Sequence, residues 1–219
     1  ARLARPFGIV AGSVLALFAG QWAAGQWENF LMFVNAAKVG TVDPVFGKDI
    51  GFYLFRLPLL EFLKGYAGFT ILSAAVITVA VYYARGGMAV SERGASVHPA
   101  VRRHLAVLAG LYLATVAAGF YLDGFGLLMS GAGLVHGAVY ADVHARLPVY
   151  RFLAVITPIP AIVMAAGAWR ARWRMALAAP LIVIAAYLAG LKAYPVLLQK
   201  FKGAPNELAL ETPFIENNI

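Results

Sequence analysis

Five long stretches without a charged residue alternate with short charged segments along this 219-residue chain. Each stretch approaches or meets the roughly 20 residues that an α-helix needs to cross about 30 Å of hydrocarbon. We therefore predict an all-α polytopic membrane protein, a bundle of about five transmembrane helices with interfacial or re-entrant segments on its outer side. The predicted spans are about 6–27, 65–84, 105–122, 152–169 and 175–196.

The connection between the first two spans has a pattern of its own. Apolar residues at i, i+3, i+4 and i+7 predict an amphipathic helix over 27–38 that lies along the membrane surface, with Lys38 in its last turn. Turn signals follow, and then an aromatic run that fits either a short strand or the start of a helix. The large apolar side chains of residues 41–58 are expected to pack on the outer ends of the helices, because their burial is worth more than the ordering costs.

The uncharged segment 124–141 competes for a sixth crossing. Only Asp123 separates it from the third span, which leaves no room for the chain to reverse. Its glycines are poor residues for a helix interior. We interpret the segment as interfacial or re-entrant, with five glycines at Gly124, Gly126, Gly131, Gly133 and Gly137.

Small residues recur at close spacing within several spans. Such residues allow helix backbones to approach one another, so we predict close packing within one bundle. The sets are Ala16, Gly20 and Ala24; Ala106, Gly110 and Ala114; and Ala165, Ala166 and Gly167.

The formal net charge of +8 lies in alternate connections, and the remaining connections cancel internally. By the positive-inside rule, the N-terminus and the connections 85–104 and 170–174 are cytoplasmic, whereas 28–64, 123–151 and 192–219 lie outside. With 62% hydrophobic and 13% charged residues the chain is solvated by lipid. The arginines are therefore expected to face anionic lipid headgroups and not nucleic acid.

Three stretches of this chain resemble signature stretches of a large bacterial integral-membrane family that is classed as an uncharacterised protein family. The resemblance covers the chain from about Trp27 onward, and it departs from the family pattern at 131–138, which is less polar here. The stretches are Asp43-Pro-Val-Phe-Gly-Lys-Asp-Ile-Gly-Phe-Tyr-Leu-Phe55, Tyr140-Ala-Asp-Val-His-Ala-Arg-Leu-Pro148 and Pro205-Asn-Glu-Leu-Ala-Leu-Glu-Thr-Pro-Phe-Ile-Glu-Asn-Asn-Ile219.

The resemblance implies a multi-pass protein of the bacterial cytoplasmic membrane, with several membrane helices, commonly about seven, and then a larger extracytoplasmic domain. Residues 1–197 would be transmembrane and 198–219 would begin the extracytoplasmic domain, so that the N-terminus of this chain is cytoplasmic and its C-terminus is outside. No catalytic or binding residue is implied by the resemblance.

Candidate chemistry is sparse. Asp142 and His144, with His136 and Asp123 nearby, could bind a metal, but their spacing matches no defined metal site. We expect hydrogen bonds and a salt bridge from Asp142 to Arg146 or Arg151 instead. Calcium binding by Glu207, Glu211 and Glu216 is likewise set aside, and His98 and His104 are expected to meet headgroups or solvent. No catalytic motif is present, so we predict no catalytic, cofactor-binding or metal residue and no cofactor.

Three classes of function stay open. A membrane anchor or platform portion of a larger cell-envelope protein is favoured, because no ionisable Asp, Glu, Lys, Arg or His lies in the middle of a span. A transporter or channel subunit is the alternative, supported by Pro158, Pro160 and Pro180, which can break membrane helices. An intramembrane enzyme would need a nucleophile or a metal cluster that faces a cavity.

Overall fold

Helices account for most of the structure, a computed structural model that describes residues 4–91, 94–129, 137–169, 173–203, 210 and 212. The α-helices, in chain order, are α1 Ala4–Ala24, α2 Trp27–Val34, α3 Leu57–Ala84, α4 Pro99–Gly126, α5 Leu147–Ile156, α6 Pro158–Trp169, α7 Trp173–Tyr187 and α8 Tyr194–Leu198. One antiparallel hairpin, β1 Met88–Ser91 and β2 Gly94–Val97, lies between α3 and α4.

Several helical segments are long and apolar enough to cross a membrane. A further crossing is counted if α1 and α2, which are bent by 48° at their junction, form one broken span. The predicted all-α polytopic bundle is therefore confirmed, with four or five crossings in the described part of the chain. The four continuous segments are Phe52–Ala84, Pro99–Met129, Asp142–Gly167 and Pro180–Phe201.

Helix α4 is the centre of the bundle, because it packs against α3 and also against α5 and α6. The approach of α6 depends on Gly110, where an added Cβ would lie 3.0 Å from the carbonyl oxygen of Ala161. Ala106 and Gly110 are both buried, so the prediction that small residues permit close packing is confirmed for these two, whereas Ala114 of the same set is exposed. It is wrong for α1, because Ala16, Gly20 and Ala24 are exposed.

The same local device, a π turn followed by a proline, directly precedes α3, α5 and α8. The turns are Phe52–Arg56, Asp142–Arg146 and Leu188–Ala193, and the residue before each proline donates its N–H to the carbonyl five residues back. Proline lacks an N–H, and its ring would collide with the carbonyl four residues back in a regular α-helix. One extra residue in the turn lets the helix continue through the proline. The prolines are Pro58, Pro148 and Pro195.

The predicted amphipathic helix over 27–38 is shorter than expected. It ends at Val34, after which the Asn35 side chain donates a hydrogen bond to the Leu31 carbonyl. Lys38 therefore lies beyond the helix, and its predicted place in the last turn is wrong. The chain after Val34 does not continue as a helix, because the N–H groups of Val39 and Gly40 donate hydrogen bonds to the Asp49 carboxylate.

Two further features differ from the sequence prediction. The β-hairpin was not predicted; Gly86, with φ of 73°, makes the turn that leads into it. Helix α4 also continues through Gly124 and Gly126 instead of breaking there, because buried Gly124 sits against the Leu147 and Tyr150 side chains. Residues 130–136 lie outside the described part, so the re-entrant or interfacial interpretation of that stretch stays a prediction.

Candidate functional site at the loop end of the bundle

Charged side chains lie at two levels along the bundle. We call the end with Arg85, Arg102 and Arg103 the arginine end, and the end formed by residues 35–56 and 137–146 the loop end. Lys64 of α3 and Asp123 of α4 form an ion pair, with 3.0 Å between Nζ and Oδ1. Each of the two is about 20 helical residues from the arginine end, or about 30 Å along the axis. This separation matches the hydrocarbon thickness of a bilayer.

Asp43 organises the loop between α2 and α3. Its carboxylate accepts hydrogen bonds from the N–H groups of Val45, Phe46 and Lys48 at 2.9, 2.6 and 2.8 Å, and from the Tyr53 hydroxyl at 2.8 Å. The residue is buried, so these four donors replace the water that the charge has lost. The carboxylate thus joins the loop to the first π turn.

Asp49 holds the other side of the same loop. Its carboxylate accepts from the N–H groups of Val39 and Gly40 at 3.0 and 2.8 Å and of Gly51 at 2.7 Å. These hydrogen bonds lower the pKa of the Asp49 carboxyl below its usual value of 3.8. The bond from Val39 has the largest effect on this pKa and that from Gly40 the next largest. An antiparallel bridge between Val42 and Asp49 closes the loop.

An aromatic cluster fixes this loop to α4. The Phe125 ring lies 4.7 Å from that of Phe46, 5.1 Å from that of Phe52 and 6.3 Å from that of Tyr53, measured between centroids. Tyr53 and Phe125 are buried together with Leu57. The predicted packing of residues 41–58 on the helix ends is confirmed, and of the two readings of the aromatic run the helix start is correct.

Asp142 and Arg146 form the second ion pair at the loop end. The Asp142 side chain is fully buried, and its Oδ1 lies 2.7 Å from an Arg146 guanidinium nitrogen. Its Oδ2 also accepts from the Val139 N–H at 3.3 Å. Of the two predicted partners for Asp142, Arg146 is the one that the structure shows.

The residues weighed as metal ligands have other roles or are not described. The His144 ring stacks on Tyr140 at 4.2 Å, while Asp123 and Asp142 each pair with a cation. Among the described residues no group of three or more His, Asp or Glu side chains gathers around one point. His136, Glu207, Glu211 and Glu216 lie outside the described residues.

The two histidines of the arginine end have structural contacts. His98 caps α4, because its Nδ1 accepts from the Ala100 N–H at 3.3 Å. The Nδ1 of His104 lies 3.4 Å from the Tyr82 hydroxyl. Both side chains are exposed at this end, so their expected contact with headgroups or solvent stays a prediction.

The three aspartates of the loop end and the neighbouring Asp123 serve the architecture. Each accepts backbone or hydroxyl hydrogen bonds or pairs with a cation, which leaves them poorly suited to act as a base or a metal ligand. Sequence reasoning predicted Arg146 as one of two partners for Asp142 and missed the partners of the other three aspartates. Asp43-Pro44 and Asp49 before Gly51 carry the usual signal of an Asx turn, whereas nothing local indicates that Lys64 meets Asp123.

Comparison of the sequence with known proteins identifies the family of this chain. The model of the Uncharacterised protein family (UPF0182) matches residues 1–219. The chain belongs to this family. It is 59% identical over 219 residues to a UPF0182 protein of Geotalea uraniireducens and covers 25% of that protein. A UPF0182 protein of Kocuria rhizophila is 38% identical over 208 residues, which are 94% of this chain and 21% of the relative.

The resemblance seen in the sequence is thereby confirmed. The chain spans about a quarter of the length of the curated relatives it matches, consistent with a portion of a larger protein. The names of these relatives assign no activity. No solved structure matches the chain.

Proposed function

We propose that this chain is the membrane-embedded platform of a larger cell-envelope protein and that it holds and orients a domain outside the membrane. The observation that carries the proposal is the separation of charge. Ion pairs and ordered aspartates lie at the loop end, the excess of positive charge lies in the connections at the other end, and the helix segments between them carry no Asp, Glu, Lys, Arg or His to bind and release a solute.

The order of the loop end supports a platform. Asp43 and Asp49 together take seven hydrogen bonds, and the aromatic cluster joins their loop to α4. A segment held in this way presents a fixed surface, which suits the attachment of a further domain. Relatives about four times as long leave room for such a domain.

The orientation and boundaries are part of the proposal. The arginine end faces the cytoplasm and anionic lipid headgroups, the loop end faces outward, and the membrane is the cytoplasmic membrane of a bacterium. Residues 1–197 form the membrane domain and 198–219 begin the extracytoplasmic domain. Support comes from the one-sided net positive charge and from the bacterial relatives.

Orientation can be tested with single cysteines, because this chain contains none. In the full-length protein, Asn206→Cys should react with a membrane-impermeant maleimide added to intact spheroplasts. Ser96→Cys should react only after the membrane is permeabilised. Any native cysteine elsewhere in the protein is first replaced by serine. Labelling of both sites from the same side would contradict the orientation.

A transporter is the second candidate, and one observation favours it. In the third long segment Thr157 lies between α5 and α6; its side chain is fully buried, and its hydroxyl has no hydrogen-bond partner among the described residues. Pro158 and Pro160 follow at once. Prolines that can interrupt a membrane helix, together with a buried polar group that lacks a partner, are a feature of transport sites.

Flux measurements separate the two functions. Full-length protein in liposomes should give no saturable ion or small-solute flux above that of protein-free liposomes if the chain is a platform. Saturable flux that Thr157→Val removes would establish the transporter and contradict the platform. Ser73→Ala, a half-buried hydroxyl in α3, is the matched control.

A further inference from the structure

A cavity of about 230 Å³ opens at the loop end, between the Asp43 loop, the end of α4 and the start of α5. Its walls are mainly aromatic and include Phe46, Phe120, Phe125 and Tyr150. Two cationic side chains, Lys48 and Arg151, also line it. An apolar pocket with positive charge beside it suits a ligand that is itself part anionic and part apolar.

The two cations are available to a ligand. Both side chains are exposed, and within the described part of the chain neither forms an ion pair. Lys64 and Arg146, the two cations at this end that do pair, each face an aspartate. Lys48 and Arg151 instead lie over aromatic rings, with Nζ 5.6 Å from the centroid of Phe52 and the guanidinium carbon 5.6 Å from that of Phe46. These contacts hold the cations in place without neutralising them.

The cavity also lies at one end of the segments long enough to cross a membrane, where lipid phosphates are expected. Arg151 precedes Trp169, the last residue of α6, by 18 residues, which is about 27 Å of helix. It is therefore near the level of the Lys64–Asp123 pair, at the boundary between hydrocarbon and headgroups. Gly124 and Phe125, which line the cavity, directly follow Asp123 in α4.

We propose that this cavity binds an anionic glycerophospholipid of the leaflet at the loop end. Its phosphate lies between Lys48 and Arg151, and the upper part of one acyl chain packs on the aromatic walls. Pockets for whole drug-sized ligands are roughly 300–1,000 Å³, so this smaller cavity accommodates the headgroup region and not the complete lipid. A free anion would leave the apolar walls unused, and a lipid without net charge would leave the cations unmatched. This site is separate from the arginine end and does not depend on the platform function.

Native mass spectrometry of the full-length protein tests the site. The protein is exchanged into detergent with equal amounts of phosphatidylglycerol and phosphatidylcholine, and retained lipids are counted. The tested variant is Lys48→Gln with Arg151→Gln; Arg56→Gln is the control, an exposed cation of the same end that does not line the cavity. The wild type should retain phosphatidylglycerol over phosphatidylcholine by about tenfold, as two basic residues near a membrane surface allow. The double variant should retain about one phosphatidylglycerol fewer per protein than the wild type, because lipid at the arginine end is unaffected, and Arg56→Gln should keep the wild-type preference within about twofold.

Three results would overturn the proposal. The first is equal retention of the two lipids by the wild type. The second is a double variant that keeps the wild-type preference while Arg56→Gln behaves normally. The third is displacement of the retained phosphatidylglycerol by millimolar inorganic phosphate, which would show that the site takes a free anion. Because both replaced side chains are exposed, the double variant should elute and melt as the wild type does, and this is checked alongside.

Discussion

The turns that begin α3 and α5 share the sequence Arg-Leu-Pro, at 56–58 and at 146–148, yet different groups hold them in place. Both form a π turn, and in both the residue before proline donates to the carbonyl five residues back. The first turn is held from outside, by the Tyr53 hydroxyl on Asp43 of the preceding loop. The second is held from within, by Asp142 and Arg146 of the same turn.

The comparison separates a local cause from a tertiary one. Proline accounts for both wide turns locally, because its missing N–H and its ring disfavour a regular α-helical turn before it, although Pro180 lies inside α7 without such a turn. The arginine does not have one fixed role. Arg56 is exposed and forms no ion pair within the described residues, whereas Arg146 neutralises a buried carboxylate. The same three residues therefore specify the backbone but not its partners.

The largest expected effect comes from removing the outside support of the first turn. Asp43→Ala deletes the acceptor of four hydrogen bonds, and we expect a loss of about 3 kcal/mol in the free energy of unfolding in detergent, because water reaches only part of the freed donors. Tyr53→Phe removes one of these bonds and should cost about 1 kcal/mol. Hydrogen exchange over 45–53 should accelerate with Asp43→Ala. Equal losses for the two variants would show that Asp43 does not organise the loop.

A smaller effect is expected within the second turn. Arg146→Leu leaves the Asp142 carboxylate buried without its cation and should cost about 2 kcal/mol, less than for a fully buried pair because the Arg146 side chain is 40% exposed. Arg56→Leu, at the equivalent position of the first turn, should change stability by less than about 0.5 kcal/mol. Thermal unfolding of the two variants under one detergent condition measures the difference. A comparable loss for both would erase the distinction between the turns.

The smallest of the three expected effects is that of acid on the loop that precedes the first π turn. Backbone N–H groups depress the pKa of Asp49 in the folded protein below 3.8. Its stabilising contribution is therefore fully present above the unfolded pKa and is lost as pH falls below about 4 through the folded value. Exchange of the Val39 and Gly40 amides, corrected for intrinsic rates, should speed up in that window. Asp49→Asn should remove the pH step, and a step that persists in this variant would assign it to another group.

Much of the architecture could be predicted because it depends on solvation. Uncharged runs of membrane length predicted the long helices, and the spacing of Trp27, Phe30, Leu31 and Val34 predicted α2. The aromatic content of residues 41–58 predicted that these side chains pack on the helix ends. Tyr53 and Phe125, which are buried in one cluster, show this packing. Each inference needed only the apolar area of residues close together in the chain.

The sequence could not reveal contacts between distant segments. Lys64 and Asp123 are 59 residues apart, and each reads as an ordinary residue at the end of a span until α3 and α4 are packed together. The exposed small residues of α1 look the same in the sequence as the buried ones of α4. The cavity beside Lys48 and Arg151 likewise exists only because a loop, a helix end and a helix start meet there.

Sequence by itself determined which segments of this protein are long and apolar enough to cross the lipid, because hydrophobic transfer depends on the apolar area of residues close together in the chain. Tertiary structure alone decided which aspartate meets which cation, which glycines are needed for close approach and which positive charges stay free for a ligand. The physical reason is that the residue type alone does not decide whether a charge or a small side chain stabilises the fold. Its stabilising effect depends on the partner that tertiary packing places beside it.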